Sequence, residues 1–254
     1  MADVSVRIGT SGYTYSWNKA QPTPFEWYIN QGFNSVEINY SFYRFPTSAS
    51  LKVWQRKAPK DFTFSIKVHR SITHYNKLKQ PRSIELWDQF SEIFEPIEDR
   101  IDFWLFQMPA NFKFKPENLE RVKSFFGNEN TYQRIVTQRK AVIEFRDSSW
   151  WDEVALKDIE KAGIVFCSVD APALPNKILV SNGITYLRLH GSESWYTYLY
   201  PEQALNEIVS RIRSITAKKK AIYLNNDHGM LKNGLFLMGH FSTRTLKGKS
   251  SYAD

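Results

Sequence analysis

Residues 141–170 read AVIEFRDSSWWDEVALKDIEKAGIVFCSVD. β-Branched and aromatic residues fill Ala141 to Arg146, apolar residues recur at helical spacing from Glu153 to Ala162, and a second apolar run follows from Ile164 to Asp170. Strand, helix and strand with short connections form the unit of a parallel sheet, because two parallel strands need a crossover between them. The alternation extends in both directions. Further strands are expected at Val4 to Gly9, Ser35 to Tyr40, Phe62 to His69, Ile101 to Gln107, Ile184 to His190 and Ala221 to Asn226. Helices are expected at Pro24 to Gln31, Ser48 to Ala58, Ser83 to Ile97, Glu117 to Phe126 and Pro201 to Ile215. Such a count in 254 residues predicts an α/β fold, a single TIM-type (β/α)8 barrel over residues 1–254, in preference to an open doubly wound sheet. Gly9-Thr10-Ser11-Gly12-Tyr13 lacks the glycine spacing of a dinucleotide turn, which argues the same way. Two irregularities stand out. Ala171 to Gly183, with Pro172 and Pro175, is too short for a full helix, so the helix after the sixth strand is expected to be a loop; the last unit, Leu235 to Leu246, is brief.

Composition narrows the class. With 42% hydrophobic and 24% charged residues the chain is ordinary globular protein, which excludes disorder, collagen-like repeats and a disulfide scaffold. The single Cys167 makes no internal disulfide and fits a reducing, cytoplasmic setting. No run of about 18 apolar residues occurs, so no membrane partner is expected. A net charge of +8 favours phosphates or nucleic acid without choosing between them. Aromatic residues make up 15% of the chain, more than a core of this size requires, and leave rings for stacking on ligands.

Alternate residues of a strand face opposite sides, which sorts each strand into a helix-facing and an inward set. Glu144 and Arg146 share one face against Ile143 and Phe145; Tyr186, Arg188 and His190 alternate with Leu187 and Leu189; Ser65, Lys67 and His69 alternate with Phe64, Ile66 and Val68. The same sort turns Arg7, Glu37, Asn39, Gln107, Asp170 and Asn225 inward. In a barrel of this type those positions ordinarily hold Val, Ile and Leu. Buried charges must neutralise one another or meet a ligand. A structural ion network accounts best for Arg7, which is deepest from the strand end. The remainder sits at the carboxyl ends of strands, where barrels of this type place their active sites. Loops leaving those ends carry Tyr13, Tyr15, Trp17, Phe42, Tyr43, Trp150, Trp151, Trp195, Tyr196, Tyr198 and Tyr200, a rim suited to a sugar or a nucleobase.

Several chemistries fit this pattern. Glu144, Glu37, Asp170 and His190 are candidate acids or bases. Lys67 forms a Schiff base if desolvated, and is a simple ion-pair partner if it meets Glu37. Arg146 and Arg188 present guanidinium forks that bind phosphate or carboxylate, with Asn39, His69, Gln107, Asn225, Tyr13, Trp150 and Trp195 around the substrate. A two-carboxylate glycosidase is a further reading. The order Glu144, Asp170, His190, Asp227 offers ligands for a divalent metal in a sugar-isomerase or endonuclease site, although two arginines on the same floor repel a cation. No cofactor is otherwise expected. Cys167 alternates onto the apolar face, and no nucleophile-elbow motif supports a serine triad.

Seven ordered blocks carry a family signature: GTSGY (9–13), VEINYSFYRFP (36–46), FTFSIKVHRSITH (62–74), FQMPANF (106–112), IEFRDSSW (143–150), YLRLHG (186–191) and YLNNDHG (223–229). Together they resemble the YecE-like family, domain of unknown function 72. The resemblance implies a TIM-type barrel and places Glu37, Asn39, Lys67, Glu144, Arg146, Arg188, His190 and Asn225 at the family's polar motif positions. Tyr13 stands where the family more often has Trp, and Asp147 where His is expected. The reading that unites these features is an enzyme acting on a small anionic, sugar-like or nucleotide-like substrate. The alternatives are a nucleic-acid binding or phosphodiester-processing protein and a noncatalytic sensor.

Overall fold

A computed structural model of the chain describes residues 6–241. Nine strands occur in it: β1 Val6–Thr10, β2 Ser35–Ile38, β3 Thr63–Lys67, β4 Ile101–Gln107, β5 Ala141–Glu144, β6 Val165–Phe166, β7 Ser168–Asp170, β8 Ile184–Leu189 and β9 Lys219–Leu224. Every pairing is parallel. One sheet has the order β1-β9-β8-β7 and the other β2-β3-β4-β5-β6. Helices Pro24–Asn30, Ser48–Lys57, Arg82–Glu92, Pro116–Phe126, Glu153–Lys161, Glu202–Ser214 and Met230–Phe241 separate or follow them.

The helix starts are written in the sequence. Thr23 caps Pro24–Asn30 by accepting from the Glu26 N–H, while its hydroxyl donates to the Glu26 carboxylate. Asp152 accepts from the N–H groups of Val154 and Ala155 at the start of Glu153–Lys161. The helices then pack by their aromatic faces. Trp87 meets Trp104 edge-on at 5.0 Å and Phe106 at 5.2 Å, joining helix Arg82–Glu92 to β4. From the next crossover, Phe126 meets Phe106 at 4.8 Å.

The pairing differs from one closed eight-stranded sheet. The sixth expected strand, Ile164 to Asp170, is two pieces on either side of Cys167: β6 pairs only with β5, and β7 only with β8. Cys167 itself stays on the β5 side, its N–H donating to Ile143 O, so the pairing changes sheets within one strand. The other seam lies between β1 and β2. There Ser11 and Glu37 form an isolated parallel bridge, and the Gly12 N–H donates to Glu37 O at 2.7 Å. Gly9 permits this approach, because a Cβ on it would lie 2.3 Å from Ser35 O.

Three smaller differences have local causes. The helix expected over Ser83 to Ile97 ends at Glu92, and a separate 3-10 segment, Glu95–Arg100, begins where Pro96 cannot continue the ladder. The final helix starts at Met230, ahead of Leu235, and residues 242–246 of that expectation lie outside the described residues. Single π-helical turns at Ser71–Tyr75 and Tyr132–Val136 left no sequence signal. Ala171 to Gly183 holds no helix, as its prolines imply.

Gly9→Ala forces the β1–β2 seam apart by overpacking against backbone, at a cost of about 1–3 kcal/mol. A thermal melt should show the midpoint falling by several degrees, and an unchanged midpoint would mean that the seam opens freely.

Candidate active site

The inward faces of β2, β3, β5 and β8 converge on one guanidinium. Arg188, fully buried on β8, donates from Nη1 to Glu144 Oε2 at 2.5 Å and from Nη2 to Glu37 Oε1 at 2.6 Å. Its Nη2 also reaches Ser11 Oγ at 3.2 Å. Glu37 accepts two further bonds, from Ser11 Oγ at 2.6 Å and from Tyr186 OH at 2.7 Å. The second oxygen of Glu144 accepts from Arg146 Nε, with His190 Nε2 3.7 Å away. Every oxygen of both carboxylates therefore has a donor. Burial by itself would raise the Glu144 carboxyl, but Arg146 and Arg188 override it and hold the group well below the usual carboxylate range. Burial likewise opposes the charge on Arg188, yet Glu144 and Glu37 keep it firmly protonated.

His190 is fully enclosed. Its Nε2 lies 3.1 Å from Arg188 Nη1 and 3.3 Å from Arg146 Nη2, and its Nδ1 lies 3.1 Å from the Asn225 amide. Burial and the two guanidiniums push its pKa well below the ordinary imidazole value, so the ring is neutral. A ring accepting at Nε2 carries its proton on Nδ1, which calls for the Asn225 amide to present its oxygen there.

Lys67 ends β3 among these groups and is 8% exposed. Its Nζ stands 4.3 Å from the centre of the Phe42 ring. Among the described residues its Nζ has no hydrogen-bond or ion-pair partner, and each oxygen of Glu37 and Glu144 is bonded to another donor. Burial and the Arg188 charge bring its pKa down to about 7, against a smaller opposing pull from Glu144. The expected ion pair with Glu37 is thus replaced by an uncompensated amine.

Arg146 keeps an open edge, its side chain 10% exposed. Nη1 donates to Tyr196 OH at 3.0 Å, and the guanidinium lies 4.5 Å over the Trp195 ring. The loop carrying both rings is tied at its ends. Tyr200 OH and Ser192 Oγ donate to Asp170 Oδ2 at 2.6 and 2.8 Å, the Gly191 N–H donates to Tyr200 OH, and Asn226 Nδ2 donates to Tyr198 O.

The other expected site residues fall into two groups. Tyr13 and Asn39 line a cavity of about 530 Å3 together with Ser11, Tyr15, Tyr43 and Arg44. Asn39 stands there with its Oδ1 buried and unpartnered, while the Tyr13 OH accepts from Trp54 Nε1. Gln107 donates to Met108 O and lies 3.5 Å from His74 Nε2, close to the floor. The remaining residues are taken up by the scaffold. Trp150 is fully buried, stacked 3.8 Å from Phe145 on one side and parallel to Phe112, so its faces are not open to a ligand. Asp170 serves the loop latch. His69 bonds Ser71 Oγ and meets the Phe45 ring edge. Arg188 is spent on two carboxylates and has no fork to offer an anion. Arg7 pairs with Asp102, which also binds Lys219, well away from the floor. The four proposed metal ligands do not assemble: among the described residues no three His, Cys, Asp or Glu side chains gather as a metal site.

Sequence reasoning missed Ser11 and His74, and placed Tyr196 in the aromatic rim without its bond to Arg146. Ser11 shares the parity of Arg7 and Gly9, so carrying the alternation past the strand end finds it; Tyr196 reaches Arg146 through a left-handed backbone at φ 68° that leaves no pattern.

Lys67 makes stability depend on pH in a definite direction. With a folded pKa of about 7 against an ordinary 10.5, the folded state binds fewer protons between those values, so its stability climbs as pH rises from about 7 toward 10. Urea unfolding across that range should show the climb in the wild type and a flatter curve in Lys67→Met; parallel curves would mean that the amine is ion-paired.

Among the described residues no helix is long and apolar enough to cross a membrane. The profile of the family described as a protein of unknown function, DUF72, matches residues 7–237. UPF0759 protein YunF of Bacillus subtilis is 22% identical over 228 residues, 78% of each chain. A crystal structure of a DUF72 family protein from Thermotoga maritima superposes with a TM-score of 0.74 at 25% identity, over 92% of this chain and 98% of that one. The β-mannanase of the blue mussel Mytilus edulis, at 9% identity, shares the fold with a TM-score of 0.52 over 97% of this chain and 94% of that one. The structural neighbours are thus of TIM-barrel type, the blocks from GTSGY to YLNNDHG fall inside the matched span, and the chain belongs to the DUF72 family.

Proposed function

We propose that this protein is an enzyme working by general acid–base chemistry on a small anionic, sugar-like substrate, at the mouth formed by the carboxyl ends of its strands. In this reading the two parallel sheets are the halves of one (β/α)8 barrel, joined at the Cys167 and Gly9 seams. The observation that carries it is the charge inventory of the floor. Arg146, Arg188 and Lys67 face Glu37 and Glu144, each carboxylate oxygen is bonded to Arg146, Arg188, Ser11 or Tyr186, and the two of these cations that remain partly open are Lys67 and Arg146. A floor whose reachable face is cationic, and whose acids are covered, favours an anionic group over a neutral or cationic one.

Arg146 anchors that anion. Its guanidinium is already oriented by Glu144, Tyr196 and the Trp195 face, so little order is lost when phosphate or carboxylate binds. Trp195 and Tyr196 flank the position with ring faces suited to the C–H surface of a sugar-like group. Lys67, poised between its charge states at neutral pH, gives and takes the proton. Glu144 and His190 act through their neighbours: the first keeps both arginines in register, and the second packs neutral against them.

Thermal melts with glucose 6-phosphate, gluconate, inorganic phosphate and plain glucose test the reading. A ligand at about 100 times its Kd adds about 2.7 kcal/mol, a rise of several degrees for a domain of this size. The anionic compounds should raise the midpoint where glucose does not, and Arg146→Ala should remove the rise. No rise with any anion, or one that survives in Arg146→Ala, would overturn the reading.

A further inference from the structure

We infer that Lys67 is a nucleophilic amine that condenses with an aldehyde or ketone carbonyl of the substrate to form an imine. The inference rests on the reading of the mouth as a site for an anionic substrate, names the reactive group of that substrate, and gives Lys67 a covalent role toward it in place of simple proton transfer.

Four observations carry it. First, among the described residues the amine has no counter-ion. Glu144 and Glu37 act on it as opposite charges, but each of their oxygens is bonded instead to Ser11, Tyr186, Arg146 or Arg188. An unpaired ammonium in a buried setting is costly, so the neutral amine is the form that the surroundings favour. Second, the neighbouring fixed charges are guanidiniums. Arg188 and Arg146 both push the proton off Lys67, which leaves a lone pair available at neutral pH. Third, the amine is set against a ring on a fixed strand end. Ser41 Oγ lies 2.6 Å from Lys67 O and 2.7 Å from Ile38 O, its one hydroxyl proton bridging the ends of β2 and β3, and the turn Tyr40–Phe42 sets the Phe42 ring over Nζ. Fourth, the amine keeps an opening and lies one strand from open space. Lys67 retains 8% of its surface exposed; Ile38 pairs with Ile66, the residue before Lys67, and Asn39, the residue after Ile38, lines the cavity of about 530 Å3 that runs past Tyr15 and Tyr43 to Arg44.

The step balances without an added oxidant or reductant. The Nζ lone pair attacks the carbonyl carbon, the π pair moves to oxygen, and a proton passes from nitrogen to that oxygen to give a carbinolamine. A proton taken from solvent onto the hydroxyl lets the nitrogen lone pair expel it as water, leaving a C=N iminium. The iminium withdraws electrons from the neighbouring carbon, so a C–H bond there breaks, its proton passing to solvent water and its electron pair entering an enamine; reprotonation at carbon from the same solvent restores the iminium. Hydrolysis by one water returns the amine and the carbonyl product. Arg146 holds the anionic group while this proceeds.

Borohydride trapping tests it. The full-length protein is incubated at neutral pH with D-glyceraldehyde 3-phosphate, reduced with sodium borohydride, and mapped by peptide mass spectrometry. Reduction turns the iminium into a stable secondary amine. The expected result is an adduct at Lys67 at least about tenfold above that at any other lysine, since an ordinary lysine is almost wholly protonated at this pH. Lys220 is the internal control: it is equally buried, but its Nζ donates to Ile212 O. Selectivity should vanish in urea, and Lys67→Arg should lose the adduct. The wild-type map decides the matter without depending on how that variant folds. Adducts spread evenly over the lysines, or absent from Lys67, overturn the inference. If the phosphate still raises the melting midpoint through Arg146, the imine alone has failed; if the midpoint is also unmoved, the anionic-substrate reading fails with it.

Discussion

Arg188 belongs to the four-stranded sheet, and the two carboxylates it grips, Glu37 on β2 and Glu144 on β5, belong to the five-stranded one. The guanidinium is therefore a polar rivet between sheets whose ladders do not run continuously into each other. Its cost and its effect are unequal. A buried ion pair gains little net stability over a well-packed apolar set, yet removing one partner strands the others and costs about 3–5 kcal/mol. Such a network is weak evidence for stability and stronger evidence for position: it fixes where Ser11, Tyr186, Arg146 and His190 stand relative to one another.

That rivet also redistributes chemistry. Glu144 and Glu37 look like acid–base groups when each strand is taken alone, because a carboxylate on a polar inward face has few other purposes. Placed against guanidiniums, they become counter-ions, and Glu144 stays ionised. Lys67 is the floor cation that makes no ion pair among the described residues, and it is brought toward neutrality instead. The state of each floor group thus depends on its hydrogen-bond partners more than on its residue type.

Much of this was legible in the chain. Strand–helix alternation located the secondary elements, and two-residue periodicity in β3, β5 and β8 turned Lys67, Glu144, Arg146, Arg188 and His190 to one side. Periodicity says which face a residue occupies but not how far along the pleat its partner lies, so the pairing of Arg188 with Glu37, 151 residues earlier, was not readable. Nor was the break at Cys167, where composition stays apolar while the pairing partner changes. Trp150 misled for a related reason. A tryptophan after a strand end is equally consistent with rim and core, and Phe112, brought in from another crossover, makes it core. The family blocks added order and identity to this picture while leaving the chemistry to the geometry.

The loop from Gly191 to Tyr200 leaves and rejoins the body at nearly one point, since the Tyr200 hydroxyl accepts from the Gly191 N–H and donates to Asp170. Trp195 and Tyr196 take no side-chain part in that closure, which is made by Ser192, Tyr200 and the Asn226 bond to Tyr198 O. Exchanging these two rings would therefore change the surface beside Arg146 while leaving the latch and the Arg188 rivet in place.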